Sequence, residues 1–148
     1  MEDIQVRKLR GEDADDIAAI YADIVRKPAD EKFKKLIEKH ARYKDGSICL
    51  VAEKDERVVG FLMSYILELG FGVEKSAWIS NLGVAVTFMG NGVGSHLIRS
   101  VIAEYRKAGV NHIYTPVIWD STDILSFFKS QGFDHSRFLI LERDIEKG

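Results

Sequence analysis

The chain has 148 residues, 46% of them hydrophobic and 30% charged, with a formal net charge of −2. That length and balance predict one folded domain over residues 1–148. They exclude a disordered chain, and the interspersed charge argues against nucleic acid or an anionic membrane as partner. The one cysteine, Cys49, rules out an internal disulfide. It lies in the apolar run Ile48–Ala52, where a buried, inert thiol is expected. The opening Met1-Glu2-Asp3-Ile4 lacks the basic and apolar regions of a signal peptide, and no apolar stretch approaches the ~18 residues of a membrane helix. A cytoplasmic location with no membrane partner is the expectation.

In chain order, Gln5 to Leu9 alternates polar and apolar residues as an edge strand does. Ile17, Ile20, Tyr21, Ile24 and Val25 then recur at helical spacing behind acidic residues suited to a first turn. Pro28 opens a second helical stretch striped by Phe33, Leu36, Ile37 and His40. From Ser47 the period changes. Ile48–Glu53 and Val58–Leu67, joined by the charged turn Lys54-Asp55-Glu56-Arg57, read as a hairpin. Gly70-Phe71-Gly72 marks a loop, and 77–86 reads as another strand. A helix over 92–108 turns Val93, Leu97, Ile98, Val101, Ile102 and Tyr105 inward and stops at Gly109. His112–Trp119 reads as a strand, 123–131 as a short helix, and 138–144 as a last strand. The order β-α-α-β-β-β-α-β-α-β predicts an α/β (α+β) fold, a mixed, mostly antiparallel central sheet flanked by helices.

The most informative segment is Asn81-Leu82-Gly83-Val84-Ala85-Val86-Thr87-Phe88-Met89-Gly90-Asn91-Gly92-Val93-Gly94-Ser95. A strand runs into closely spaced glycines and a helix starts directly after them. Glycines allow close backbone approach, and a helix N-terminus offers N–H groups at the positive end of its dipole, which suits a pyrophosphate. A tight turn with close helix–sheet packing would use the same residues. No Gly-Lys-Ser/Thr follows, so a triphosphate loop is excluded, and the segment lacks the context of a dinucleotide fold.

With these residues the sequence resembles the GNAT superfamily of N-acetyltransferases. The resemblance covers Leu82-Gly83-Val84, the alternating glycines ending at Gly94, and the following helix. It continues in Asp123-Ile124-Leu125-Ser126-Phe127-Phe128-Lys129-Ser130-Gln131-Gly132-Phe133, which matches the late helix ending in aromatic-x-x-x-Gly-Phe. The resemblance implies that acetyl-CoA is the co-substrate. It implies that the backbone of Leu82, Gly83 and Val84 pairs with the pantetheine arm in a splayed sheet. The amides of Gly90, Asn91, Gly92, Val93, Gly94 and Ser95 then wrap the pyrophosphate, and the Val84 N–H faces the acyl oxygen.

Side-chain positions match less well. Met89 stands where Gln or Arg is usual, Val86 where Pro is common, and Ser121 at the position of an Asn that reaches the pantetheine. Phe128 replaces the Tyr that protonates the departing thiolate. Trp78 and Pro116 occupy positions that often carry the basic Glu. Ser80 and Asn81 are candidates to hold a water there, and Glu68 and Asp120 read as solvated charges. Trp78, Trp119, Tyr65 and Phe71 are candidate acceptor-pocket residues, although strand tryptophans more often pack. The four histidines lack ligand spacing, so no metal site is expected.

Two functions follow. One is acetyl transfer to a primary amine, a peptide α-amine or a small molecule, by direct attack in a ternary complex. The other is a non-catalytic acyl-CoA sensor; a domain that binds no cofactor is the third alternative. Family members are often dimers, which makes a homodimer one reading the resemblance adds.

Overall fold

The computed structural model describes residues 3–42, 46–68, 74–118 and 121–146. They fall in two compact units, residues 1–115 and 116–148.

The first unit runs β1 (Gln5–Lys8), α1 (Ala14–Val25), α2 (Glu31–Ala41), β2 (Leu50–Lys54), β3 (Arg57–Leu67), β4 (Ser76–Val84), α3 (Val93–Lys107) and β5 (Ile113–Tyr114). The strands lie side by side in chain order as one five-stranded sheet. The first three junctions are antiparallel and β4–β5 is parallel. This is the mixed, mostly antiparallel sheet flanked by helices that the residue pattern predicts.

Local chemistry sets the boundaries. The second helix starts at Glu31, not at Pro28, because the Asp30 carboxylate accepts the Phe33 N–H at 2.9 Å and so caps it. The β2–β3 turn places Asp55 at φ 51° and Glu56 at φ 64°, the left-handed pair that matches the twist of a two-residue hairpin. α3 ends in a Schellman motif. Gly109 takes φ 80°, its N–H reaches Arg106 O at 3.1 Å, and Val110 N–H reaches Tyr105 O at 2.9 Å.

The sheet is packed on both faces. On one, Ile17, Ile20 and Ile37 from α1 and α2 cover Leu9, Val51, Phe61 and Met63. Of the α2 stripe only Ile37 is fully buried; Leu36 is exposed, and its carbonyl lies 2.9 Å from His40 Nδ1. On the other face α3 buries Val93, Leu97, Ile98, Val101 and Tyr105, while Ile102 is half-buried. A closed ring of hydrogen bonds fixes the far end of α3: Ile48 N–H donates to Tyr105 Oη at 3.0 Å, Tyr105 Oη lies 2.6 Å from Ser64 Oγ, and Ser64 Oγ donates to Ile48 O. Cys49 is buried as expected, its Sγ 3.6 Å from the Ser64 carbonyl.

In the second unit, α4 (Thr122–Ser130) also ends in a Schellman motif. Gly132 takes φ 92°, its N–H donates to Lys129 O, and Phe133 N–H donates to Phe128 O, both at 3.0 Å. The Phe133 ring meets Phe128 edge-on at 5.1 Å, the hydrophobic contact that accompanies this cap. The aromatic-x-x-x-Gly-Phe pattern is therefore a helix stop in physical terms.

Two strand assignments need correction. The strand read over His112–Trp119 is confined to Ile113–Tyr114, and Trp119 lies outside the described residues. Residues 138–144 form no strand: Leu139, Ile140 and Leu141 are all exposed. Three consecutive aliphatic residues give no alternating apolar face. The loop read at Gly70-Phe71-Gly72 also lies outside the described residues.

Candidate functional site

The site is set by a count of residues along β4. At one end, the Ala77 N–H donates to His112 O at 3.0 Å, so it points toward β5. At the other, the Ala85 N–H donates to Val59 O at 2.8 Å, toward β3. N–H groups alternate sides along a strand, so an unbroken strand would turn Leu82 and Val84 toward β3 as well. A bulge intervenes. Met63 pairs with Asn81 while Ser64 pairs with Ile79, leaving Ser80 as the extra residue. The bulge shifts the alternation by one, and the N–H groups of Leu82 and Val84 face the β5 side.

That side is open. The registered β4–β5 pairs are Ala77↔Ile113 and Trp78↔Tyr114. Thr115 Oγ1 follows at 3.5 Å from Ile79 O, and no described residue of β5 pairs with 80–84. Among the described residues of the first unit, Leu82, Gly83 and Val84 thus have no ladder partner on the β5 side and form a strand edge of the kind an extended ligand can join. Ser80 is exposed at the bulge, its Oγ donating to Met63 O at 3.3 Å, and Asn81 Nδ2 lies 3.4 Å from Ser80 Oγ.

The edge leads through a 3₁₀ turn, Val86–Phe88, into the glycine loop. Gly90 and Gly92 both take φ 83°, the left-handed conformation that costs other residues most, and a Cβ built at Gly90 meets nothing within 4 Å. Gly92 is the N-cap of α3. The first ladder bond of α3 runs from His96 N–H to Gly92 O at 3.0 Å, so the Val93 and Gly94 amides precede it at the positive end of the helix. Asn91 and Met89 are exposed.

Two further glycines hold this geometry by close approach. A Cβ on Gly60 would lie 2.8 Å from Val93 Cγ1, so Gly60 is what lets the first turn of α3 sit on β3. A Cβ on Gly83 would lie 2.6 Å from Phe61 Cε1. Sequence reasoning missed Gly60 in this role, and no pattern around it announces a helix contact 33 positions later. It missed the bulge for the same reason, since only pairing with β3 defines it.

Just beyond the loop, His96 is half-buried with no hydrogen-bond partner at Nδ1 among the described residues. Burial, then the nearby Arg99 charge, holds its imidazole below the ordinary range and therefore neutral. The remaining candidates lie in the second unit. Ser121 is the N-cap residue of α4, with no side-chain cap bond. Phe128 is buried, edge-on to Phe127 at 5.3 Å and to Phe133. Glu68 is exposed, as a solvated charge would be, and Asp120 lies outside the described residues. No cluster of metal-ligating side chains occurs among the described residues, and no helix there is long and apolar enough to cross a membrane.

The segment that carries this strand edge, glycine loop and helix N-terminus lies within residues 14–133, which match one protein-family model. The chain belongs to the acetyltransferase (GNAT) family. No curated protein sequence matches it closely enough to count as a relative. Solved structures described as acetyltransferases share its fold at low identity. A possible acetyltransferase from Clostridium difficile 630 is 16% identical at TM-score 0.83, covering 97% of this chain and 99% of that one. An aminoglycoside acetyltransferase from an uncultured soil metagenomic sample, solved with sisomicin, is 18% identical at TM-score 0.81, covering 97% of each chain. An aminoglycoside N-acetyltransferase in complex with CoA is 16% identical at TM-score 0.81, covering 96% and 95%.

Proposed function

We propose that this chain is an acetyl-CoA-dependent N-acetyltransferase, a single domain over 1–148, that acylates a primary amine by direct attack in a ternary complex. The observation that carries the reading is the bulge at Ser80, which turns the Leu82 and Val84 N–H groups to the open edge of β4. The family match crosses the boundary at 115–116, which supports one functional domain. Structural neighbours described as acetyltransferases, one of them with CoA, support the cofactor class.

In this reading the Gly90–Ser95 backbone receives the pyrophosphate, and the loop supplies this with room and left-handed glycines instead of charged side chains. Leu82, Gly83 and Val84 hold the pantetheine arm. The bound thioester supplies the acyl group. The Val84 N–H donates to the oxygen on which charge develops, with the Leu82 N–H on the same edge. Ser80 and Asn81 hold a water for the attacking amine. Cytoplasmic location and a homodimer belong to the same reading.

Phe128 has no proton to give, and neither Ser80 nor Asn81 is a strong base. A lysine amine, with pKa about 10.4, then arrives almost wholly protonated, while a peptide α-amine near 7.7–8.0 is already partly neutral. Proximity supplies much of the acceleration for the second. Release of free thiol from acetyl-CoA is the assay, on matched peptides with either a free N-terminus or only a lysine. Faster transfer to the free N-terminus is expected; a preference for lysine overturns that acceptor choice. The second reading, an acyl-CoA sensor, is favoured by the use of Phe128 in the α4 cap. It predicts CoA binding with no thiol release on any amine.

A further inference from the structure

Where β4 and β5 part, three aromatic side chains stand in one row. Tyr65 pairs with Trp78 across β3–β4, and Trp78 pairs with Tyr114 across β4–β5. Directly opposed residues share a face of the sheet. The adjacent row, Ile66–Ala77–Ile113, faces α3, since Ile113 shares a cleft with Ile102 and Tyr105. The aromatic row therefore faces the other way, on the side of the sheet that carries α1 and α2.

Three observations separate this row from ordinary core. Ala77 and Ile79 on either side of Trp78 are 0% and 2% exposed, whereas Tyr65, Trp78 and Tyr114 are each half-buried. The Trp78 and Tyr114 rings stack at 4.7 Å and 27°, and His112 continues the stack at 6.2 Å from Tyr114. The indole is held in place: its Nε1–H donates to Ser76 Oγ at 3.0 Å, and Ser76 Oγ donates to Leu67 O at 3.1 Å. A half-buried tryptophan whose indole is fixed by a buried serine is preorganised to receive a guest.

The row also lies at the end of the open edge. Trp78↔Tyr114 is the last registered pair before the edge of Ser80–Val84 begins. The row itself is built of rings and carries no carboxylate, so it offers a polycationic acceptor no countercharge of its own. A π-faced group finds stacking partners, and the ammonium of an unreacted amine finds ring faces.

We propose that the Tyr65–Trp78–Tyr114 row selects the acceptor, an amine carrying an aromatic ring a few bonds from its nitrogen. Such a ring belongs either to a small arylalkylamine or to the N-terminal residue of a peptide. The inference rests on the acyl-CoA site proposed at Leu82–Ser95 and names the acceptor class for it.

The test compares 2-phenylethylamine with 2-cyclohexylethylamine, which match in size and differ in the π face. Peptides beginning with phenylalanine or cyclohexylalanine form the second arm, and sisomicin is the polycationic control. Thiol release from acetyl-CoA should show a KM about tenfold lower for the phenyl member of the preferred pair. Whichever arm shows the larger ratio identifies the source. Trp78→Leu should bring the ratio to about one and Trp78→Phe should retain part of it, while the thermal shift with CoA stays as in the wild type in both. Equal KM values within both pairs, preference for sisomicin, or an unchanged ratio in Trp78→Leu would overturn the proposal. Where no amine turns over, the Trp78 indole N–H resonance, assigned by its loss in Trp78→Leu, is followed during phenylethylamine titration of the CoA-saturated protein. No movement overturns the proposal. Absence of any CoA thermal shift in the wild type is a separate failure, that of the acyl-CoA reading, and the resonance titration without CoA still reports on the row.

Discussion

Arg7 stands between two carboxylates and joins β1 to the turn before α1 and to β2. Its guanidinium holds Asp13 at 2.8 and 2.9 Å and Glu53 at 3.0 Å, and Asp13 also accepts the Arg10 N–H at 2.7 Å. Burial pushes the Asp13 carboxyl up, but the Arg7 hydrogen bonds and the Arg10 N–H outweigh it and hold the group below its ordinary 3.8. A carboxylate lowered in this way contributes stability that is full above that value and lost as pH falls through the folded value. His96 acts in the same direction for another reason. Its burial disfavours the cation, so the fold keeps its stability above the ordinary 6.5 and loses some as the pH falls and the imidazole protonates. Acid destabilisation is therefore expected in two stages, and urea midpoints across the pH range should resolve them. His96→Phe should remove the upper stage and Asp13→Asn the lower; a wild-type midpoint flat between roughly pH 7 and 5 would count against the His96 assignment. At neutral pH, Asp13→Ala should cost about 2–3 kcal/mol, since the partly buried Arg7 loses its main partner.

Among the elements, the contact between β3 and the first turn of α3 controls the site. Gly60→Ala places a methyl 2.8 Å from Val93 Cγ1 and 3.3 Å from Leu97 Cδ1. Relief requires α3 to lift, at a cost of about 1–3 kcal/mol. The lift moves the Val93 and Gly94 amides with it, so CoA affinity should fall together with stability; a variant that loses stability but binds CoA unchanged would show the loop to be independent of this packing. Element order and the glycine loop were legible in sequence because both are local. Hydrophobic period marks α1 to α3, and Gly109 and Gly132 mark helix ends through backbone freedom alone. The bulge at Ser80 and the close approach at Gly60 were not legible, because each is a relation between residues distant in the chain. The stretch 138–144 misled for the converse reason. Its composition suits a strand, but a strand exists only with a ladder, and Leu139–Leu141 have none. Ser80 and Asn81 were candidates from their place in the strand before the loop, and their position at a bulge emerges only from pairing.

At the scale of the molecule, binding and chemistry rest on different kinds of group. The features assigned to acyl-CoA are almost all backbone, whereas Met89 and Phe128 stand where side-chain help is usual in the family. Binding should therefore be robust even if turnover is slow. Saturating CoA, at about 100 times its dissociation constant, should add about 2.7 kcal/mol, a rise in Tm of roughly 5–10 °C for a chain of this size. A scan that shows no shift would leave the family fold intact and remove the cofactor from this member. The bulge has one more consequence. Because the bulge at Ser80 depends on the extra residue and not on its side chain, the direction of the amides along this edge is written in parity, odd against even along β4. Changes of side chain leave that parity untouched, whereas deletion of one residue inverts it and turns the Leu82 and Val84 amides back into the sheet. For this protein an insertion or deletion in β4 is a change of phase, which no exchange of side chains along the strand can imitate.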